Sequence, residues 1–181
     1  MSFRRVAIIG LGLLGGSIGL AVREHLPDVT TTGYDADPAT RARAAERGLV
    51  GQVCETAADA VQNADLVILC VPVGAMGAAA AEFAHALPRA ALVSDVGSSK
   101  QFVAKVLAEA LPGHAVIPAH PVAGTERSGP DAGFASLFRQ RWCIITPPAD
   151  ADPALLAGLS AFWEALGAKV EVMDAAHHDM V

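Results

Sequence analysis

A glycine-rich turn between an apolar strand and an apolar helix constrains this chain more than any other feature. Residues 6–9 (Val-Ala-Ile-Ile) have the length and composition of a buried strand, and Gly10, Gly12 and Gly15 follow in the spacing G-x-G-x-x-G. In a strand–turn–helix unit the first glycine permits the tight turn, the second lets the backbone approach a pyrophosphate, and the third allows close packing of helix and strand. The sequence therefore predicts a dinucleotide site at the start of this helix.

An acidic residue follows where such a site needs one for the ribose. Residues 30–34 (Thr-Thr-Thr-Gly-Tyr) predict a second strand, and Asp35 follows it directly, about 20 residues beyond the last glycine of the motif. A carboxylate there accepts hydrogen bonds from the ribose hydroxyls and repels a 2′-phosphate, which favours NAD over NADP. The alternative interpretation is a turn-forming aspartate in Asp35-Ala36-Asp37-Pro38.

Two further pairs of residues are predicted to line the cofactor. Leu13 and Leu14 lie in the first helical turn, where the N–H groups have no partner within the helix. Val71 and Pro72 stand at the end of the clearest buried strand of the chain, which begins at residue 66. Ligands of open α/β sheets lie beyond the carboxyl ends of the strands. An ordinary strand exit is the alternative for Val71 and Pro72.

Strand and helix patterns alternate along the rest of the chain. Asp37 is the predicted N-cap of a helix over residues 38–47, and Gly48 is its predicted stop. The alternation predicts an α/β fold of the Rossmann type, a doubly wound, mostly parallel sheet of about eight strands with helices on both faces. Further strands are predicted at residues 50–53, 66–71, 91–95, 115–119, 142–145 and 169–172, and further helices at 56–63, 75–87, 100–111, 153–166 and 175–181.

Charge and composition argue against several kinds of partner. Lysines and arginines number 13 against 19 acidic residues, for a net charge of −6, and without a basic cluster a nucleic-acid partner is not expected. Three widely spaced cysteines predict reduced thiols of a reducing compartment. The first residues run directly into a strand without the pattern of a signal peptide, and no stretch has the length of a membrane span. We expect a cytoplasmic protein without a bound metal or a membrane partner.

The segment from Asp95 to Lys100 follows another predicted strand. Ser99 is best explained as the N-cap of the next helix. Lys100 places a positive charge in the first turn of that helix, where it opposes the macrodipole by roughly 0.3–1 kcal/mol. Such a charge is tolerated if it reaches solvent or faces an anion, so a functional role for Lys100 stays open.

The segment from His120 to Ser136 is a candidate functional loop. It is rich in glycine, proline and polar residues and is too long for a passive connection. His120 stands at the carboxyl end of a predicted strand, on the side where a cofactor would bind. A histidine suits the removal of a proton from a substrate hydroxyl as hydride leaves for NAD. A purely structural histidine is the alternative.

Together these segments resemble the prephenate/arogenate dehydrogenase family of tyrosine biosynthesis. The resemblance spans the whole chain and includes residues 6–19, 33–35, 95–100, 163–168 and 178–179. Its most specific part is the stretch His120-Pro121-Val122-Ala123-Gly124-Thr125-Glu126-Arg127-Ser128-Gly129, which is far more specific than the glycine turn.

The resemblance implies an NAD-dependent oxidoreductase that converts prephenate to 4-hydroxyphenylpyruvate, or arogenate to tyrosine, by oxidative decarboxylation. His120 would be the catalytic base that accepts the proton of the ring hydroxyl. Ser98 matches a family serine that contacts this histidine and the substrate, so it is assigned to catalysis and to substrate binding. Thr125 and Glu126 match residues that line the substrate pocket, with a solvated loop residue as the alternative for Glu126. His178 also matches a family position, without an assigned role.

Family members continue into an all-helical domain that forms dimers and supplies substrate-binding residues. The resemblance implies that residues 1–173 are the NAD-binding domain and that residues 174–181 begin a helix leading to that helical domain, which is absent from this chain. The full-length protein would then be a homodimer, and this chain alone could be catalytically incomplete. Two alternatives stay open. One is a β-hydroxyacid or 6-phosphogluconate-type dehydrogenase, and the other is a non-catalytic NAD-sensing module.

Overall fold

A six-stranded parallel sheet forms the centre of the computed structural model, which describes residues 2–181. The strands lie in the order β3-β2-β1-β4-β5-β6. This is the order of a doubly wound dinucleotide-binding sheet, in which the strand order reverses between β1 and β4. The predicted Rossmann-type fold class is confirmed. The strands are β1 (Arg5–Ile9), β2 (Thr30–Tyr34), β3 (Gln52–Val53), β4 (Leu66–Leu69), β5 (Leu92–Asp95) and β6 (Ala115–Val116).

Helices cover both faces of this sheet, as predicted. The ends of the second helix follow from its local sequence. The Asp37 carboxylate accepts hydrogen bonds from the N–H groups of Ala39 and Thr40, and Gly48 ends the helix at φ +60°, a left-handed conformation that suits glycine. The helices are α1 (Leu13–His25), α2 (Pro38–Arg47), α3 (Ala57–Val61), α4 (Met76–Phe83), α5 (Lys100–Ala110), α6 (Pro153–Ala165) and α7 (Ala175–His178).

The central strands are buried on both faces because successive side chains point to opposite sides of the sheet. In β1, Val6 and Ile8 belong to one apolar cluster, which includes residues of α1 and α6. Ala7 and Ile9 belong to a second cluster, with residues of α3, α4 and α5. Two cores on either side of one sheet hold the carboxyl ends of its strands in fixed positions.

The prediction of one sheet with about eight strands is wrong, because a separate sheet of three strands stands beside the six-stranded one. It consists of β7 (Ala119–Pro121), β8 (Trp142–Ile145) and β9 (Lys169–Val172), with β7 antiparallel to β8 and β8 parallel to β9. Pro118 has no N–H for a ladder, and the N–H of Ala119 donates to Asp95 Oδ1 at 3.1 Å. The predicted strand 115–119 is therefore divided between two sheets, and His120 belongs to the second.

The last helix is shorter than expected. Asp174 caps α7 as predicted, by accepting a hydrogen bond from the His177 N–H at 2.8 Å, but the helix ends at His178 rather than at residue 181. No helix within residues 2–181 combines the length and apolar character needed to cross a membrane.

Candidate active site

The three glycines of the turn after β1 have different surroundings. Gly10 adopts φ +102°, and a Cβ added there would clash with the carbonyl oxygen of Cys70. A Cβ at Gly15 would overlap the carbonyl oxygen of Gly10. At Gly12, by contrast, no atom of the described residues lies within 4 Å of an added Cβ. The first and third glycines thus serve packing, whereas the second borders open space in front of α1.

The start of α1 is suited to bind a phosphate group. Gly12 occupies the N-cap position, and no side chain of residues 2–181 caps the helix. Within this range the first-turn N–H groups, including those of Leu13 and Leu14, therefore have no acceptor of their own. They lie at the positive end of a helix of 13 residues. Val71 adjoins the same turn, since its Cγ1 lies 3.2 Å from the Cβ position of Gly10. Pro72 follows it and is exposed.

Asp35 connects the end of β2 to the glycine turn. Its Oδ2 accepts a hydrogen bond from the Leu11 N–H at 2.8 Å, and its Oδ1 accepts one from the Asp37 N–H at 3.0 Å. The second hydrogen bond forms the turn that was the alternative interpretation of Asp35. Each carboxylate oxygen can accept more than one hydrogen bond, and the residue is only half-buried. The glycine turn and Asp35 therefore fit the pyrophosphate and ribose of a dinucleotide.

A buried ion pair stands at the end of β5. The side chains of Lys100 and Asp95 are both 0% exposed, and Lys100 Nζ lies 2.6 Å from Asp95 Oδ2. Lys100 also donates to the carbonyl oxygen of Ala119 at 2.6 Å. Burial raises the pKa of Asp95 and lowers the pKa of Lys100, while their mutual attraction opposes both shifts. Lys100 thus faces an anion, and the pair fixes the backbone directly before His120.

The cap of α5 comes from the far end of the chain. Ser99 occupies the N-cap position as predicted, but its side chain makes no capping hydrogen bond. The Asp179 carboxylate instead accepts hydrogen bonds from the N–H groups of Lys100 at 2.8 Å and Gln101 at 3.0 Å. Although burial raises the pKa of Asp179, these bonds and one from His178 hold it well below its usual range. A negative charge is therefore held at the positive end of α5.

His120 is hydrogen-bonded to a second histidine. Its Nδ1 lies 2.9 Å from His178 Nε2, and His178 Nδ1 lies 2.8 Å from Asp179 Oδ1. Burial, followed by the proximity of His178 and Lys100, lowers the pKa of His120 to about 4, although Asp179 opposes the shift. The ring is therefore neutral at neutral pH and able to accept a proton. Residues 120 and 178 are 58 positions apart, so no sequence spacing could reveal this pair.

The three residues expected to bind the substrate are exposed. Thr125 and Glu126 are exposed in the segment after β7, where Thr125 Oγ1 accepts a hydrogen bond from the Arg127 N–H at 3.1 Å. Ser98 is exposed in the turn between β5 and α5. The hydrogen-bond partner that the structure gives to His120 is His178. The contacts of Ser98, Thr125 and Glu126 with a substrate stay predictions.

Two arginines of α2, which the sequence did not single out as anchors, hold the end of this segment. Arg47 donates to the carbonyl oxygens of Pro130 at 2.7 Å and Gly133 at 3.2 Å, and Arg43 pairs with Asp131 at 2.7 Å. The N–H of Phe134 donates to Ser17 Oγ at 3.0 Å. The end of the segment that begins at His120 is therefore held by α2 and, through Ser17, by α1.

The strand order, the glycine turn and the acid after β2 define a dinucleotide-binding domain of the Rossmann class. Comparison with known proteins narrows this class. The family model described as prephenate dehydrogenase, nucleotide-binding domain, matches residues 18–172. The chain belongs to the prephenate dehydrogenase family, and the resemblance inferred from its motifs is confirmed.

Individual relatives agree with this assignment. The chain is 46% identical over 179 residues to cyclohexadienyl dehydrogenase of Zymomonas mobilis, covering 99% of this chain and 61% of that protein. It is 30% identical over 178 residues to prephenate dehydrogenase of Bacillus subtilis, covering 97% of this chain and 48% of that protein. The chain thus spans between about half and three-fifths of the length of these two curated relatives.

Solved structures show the same similarity. Prephenate dehydrogenase from A. aeolicus, in complex with hydroxyphenyl propionate and NAD⁺, is similar at a TM-score of 0.90 and 29% identity over 99% of this chain and 63% of that chain. Arogenate dehydrogenase of Synechocystis is similar at a TM-score of 0.89 and 30% identity, over 97% of this chain and 61% of that one.

Proposed function

We propose that the protein containing this chain is an NAD-dependent prephenate or arogenate dehydrogenase of tyrosine biosynthesis, and that this chain is its cofactor-binding part. The observation that carries the proposal is the environment of His120. Its pKa is lowered to about 4, and the Asp95–Lys100 pair fixes the preceding residue, Ala119, at the carboxyl end of β5. A neutral imidazole at this edge of the sheet is able to accept a proton from a bound hydroxyl.

The reaction assigns a definite task to this base. NAD, when bound, supplies the hydride acceptor. His120 would hold the proton of the ring hydroxyl while the carbon–oxygen bond gains double-bond character and hydride leaves the same carbon. Loss of carbon dioxide then aromatises the ring, and His120 would return the proton to the phenol oxygen. Ser98, Thr125 and Glu126 are proposed to orient the substrate around this bond.

The preference for NAD over NADP is proposed from Asp35 and its neighbour Arg41. A carboxylate beside the ribose repels a 2′-phosphate. The Arg41 guanidinium does not offset it, because it donates to the carbonyl oxygen of Asp35 at 2.8 Å and pairs with Glu55 at 3.5 Å. Calorimetric titration with both cofactors should give tighter binding of NAD. Tighter binding of NADP would refute the role given to Asp35.

We also propose that the whole protein is a cytoplasmic homodimer, with residues 174–181 leading from the nucleotide-binding domain into a helical domain. The support is family membership and the greater length of the relatives. Light scattering on the full-length protein should give the mass of two chains. A monomer at micromolar concentration would contradict the dimer.

Turnover tests the function itself. NADH absorbance should increase when the full-length protein is mixed with NAD and either prephenate or arogenate, and the ratio of kcat/KM for the two substrates establishes which is preferred. NAD binding without turnover of either would favour the NAD-sensing module instead. Turnover of a β-hydroxyacid with neither ring substrate would favour the other dehydrogenase class.

A further inference from the structure

Three side chains form a hydrogen-bonded chain from His120 to the start of α5. His120 Nδ1 meets His178 Nε2 at 2.9 Å, and His178 Nδ1 meets Asp179 Oδ1 at 2.8 Å. Asp179 is held in turn by the N–H groups of Lys100 and Gln101. His178 is buried, with its side chain 5% exposed. This series of hydrogen bonds therefore ends at the Asp179 carboxylate, which the α5 backbone keeps in place.

The chemistry of the acceptor decides where the protons lie. An ionised carboxylate only accepts hydrogen bonds, so His178 must carry its proton on Nδ1 to bond Asp179. In neutral His178 the other nitrogen, Nε2, is then an acceptor, so the bond between the two histidines is donated by His120 Nδ1–H. Neutral His120 consequently carries no proton on Nε2. That atom makes no hydrogen bond within residues 2–181 and is not fully buried.

We propose that His178 and Asp179 are positioning residues that keep the proton of His120 on Nδ1 and present its unprotonated Nε2 to the hydroxyl group of the substrate. This inference rests on the proposed function, in which His120 is the base. It adds the tautomer of that base and the two residues that select it. When Nε2 takes up the hydroxyl proton, the Asp179 carboxylate stabilises the positive charge through His178.

The surroundings restrict the movement of this chain of groups. The two imidazole rings meet edge to face at 68°, with centroids 5.1 Å apart. Asp174 caps the helix that carries His178, and Lys100 holds the carbonyl oxygen of Ala119 next to His120. The low pKa of Asp179 keeps the terminal group ionised, and the lowered pKa of His120 keeps the base neutral.

The test compares His178→Phe, which removes the acceptor, with His178→Gln, whose side-chain oxygen can accept from His120 Nδ1–H. His177→Phe is the matched control, because this neighbouring histidine is exposed. In the full-length protein we expect His178→Phe to lower kcat by about 10- to 100-fold, with little change in KM or NAD affinity. We expect His178→Gln to recover part of the loss and His177→Phe to resemble the parent protein.

Nitrogen-15 NMR of histidine-labelled protein reads the tautomer without turnover. His120 should show a protonated Nδ1 and an unprotonated Nε2 in the parent protein and in His178→Gln, and this pattern should be lost in His178→Phe. A protonated Nε2 in the parent protein overturns the inference, as does an unchanged kcat and tautomer in His178→Phe. If the parent protein turns over neither ring substrate, the proposed function fails, while the NMR result still decides the tautomer.

Discussion

His120 lies among three ionisable groups, His178, Lys100 and Asp179, and burial is the largest cause of its lowered pKa of about 4. Since kcat/KM reports the ionisation of the free enzyme, we expect it to stay level from neutral pH down to about pH 5 and to decrease as the pH falls through about 4. A pH–rate profile measures this directly. A decrease centred near the ordinary histidine value of about 6.5 would contradict the lowered pKa of His120.

Lys100 neutralises Asp95 where neither side chain reaches water. Removing one partner leaves an uncompensated buried charge, so we expect Lys100→Met to reduce the free energy of unfolding by about 3–5 kcal/mol. Urea denaturation followed by circular dichroism measures the loss. Lys105→Met is the control, since Lys105 is exposed on the same helix, and its effect should stay within about 0.5 kcal/mol. Equal stabilities of the two variants would rule out a structural role for the buried pair.

Gly12 borders open space, so a methyl group there should affect a ligand rather than the fold. We expect Gly12→Ala to leave the unfolding free energy within about 1 kcal/mol of the parent value and to weaken NAD binding by about tenfold or more, because the methyl group occupies the approach of the pyrophosphate. Gly74→Ala is matched to it, since a Cβ at that position also has no atom of residues 2–181 within 4 Å. Unchanged NAD affinity in Gly12→Ala would place the pyrophosphate elsewhere.

At the scale of elements, the sequence predicted those helix ends that depend only on neighbouring residues. The N-cap Asp37 and the stop Gly48 bound α2 as expected, because a cap and a left-handed stop need only a few consecutive residues. The single strand predicted over residues 115–119 is divided between β6 and β7, and the N–H of Ala119 donates to the distant side chain of Asp95. The cap of α5 comes from Asp179, 79 positions from Lys100. Contacts of this kind leave no periodic signal in the sequence.

Arginine side chains of α2 contact the segment over residues 130–134. Arg47 donates to two of its carbonyl oxygens from a partly buried position, and bonds from a charged donor contribute about 1.5–3 kcal/mol. We expect Arg47→Met to increase amide hydrogen exchange in this segment by about tenfold or more.

Arg43→Met is the control for this anchor. Its pair with Asp131 is exposed on both sides, and such pairs contribute about 0.2–1 kcal/mol. The same exchange rates in both variants would show that the segment does not depend on Arg47.

At the scale of the whole molecule, the two sheets meet where β5 ends. Asp95, the last residue of β5, accepts a hydrogen bond from the N–H of Ala119 in the three-stranded sheet. Lys100 donates to the Asp95 carboxylate and to the carbonyl oxygen of Ala119, and so contacts both sheets. The glycine turn follows β1 and Asp35 follows β2. Through Ala119, His120 adjoins the last residue of β5, so all three predicted motifs lie next to carboxyl ends of strands in the six-stranded sheet. The sequence resemblance was sufficient to predict His120 as a candidate base. The contact of His120 with His178, and through it with Asp179, could be found only from the fold, because these two residues follow His120 by more than 50 positions.

The most direct test of this mechanism compares the parent full-length protein with His120→Asn. Asparagine keeps a polar side chain of similar reach but cannot accept the hydroxyl proton. With prephenate or arogenate as substrate, we expect kcat to decrease by about 100-fold or more, as for the loss of a general base, while the dissociation constant for NAD stays within about twofold. Near-parental turnover in His120→Asn with intact NAD binding would contradict the assignment of His120 as the base.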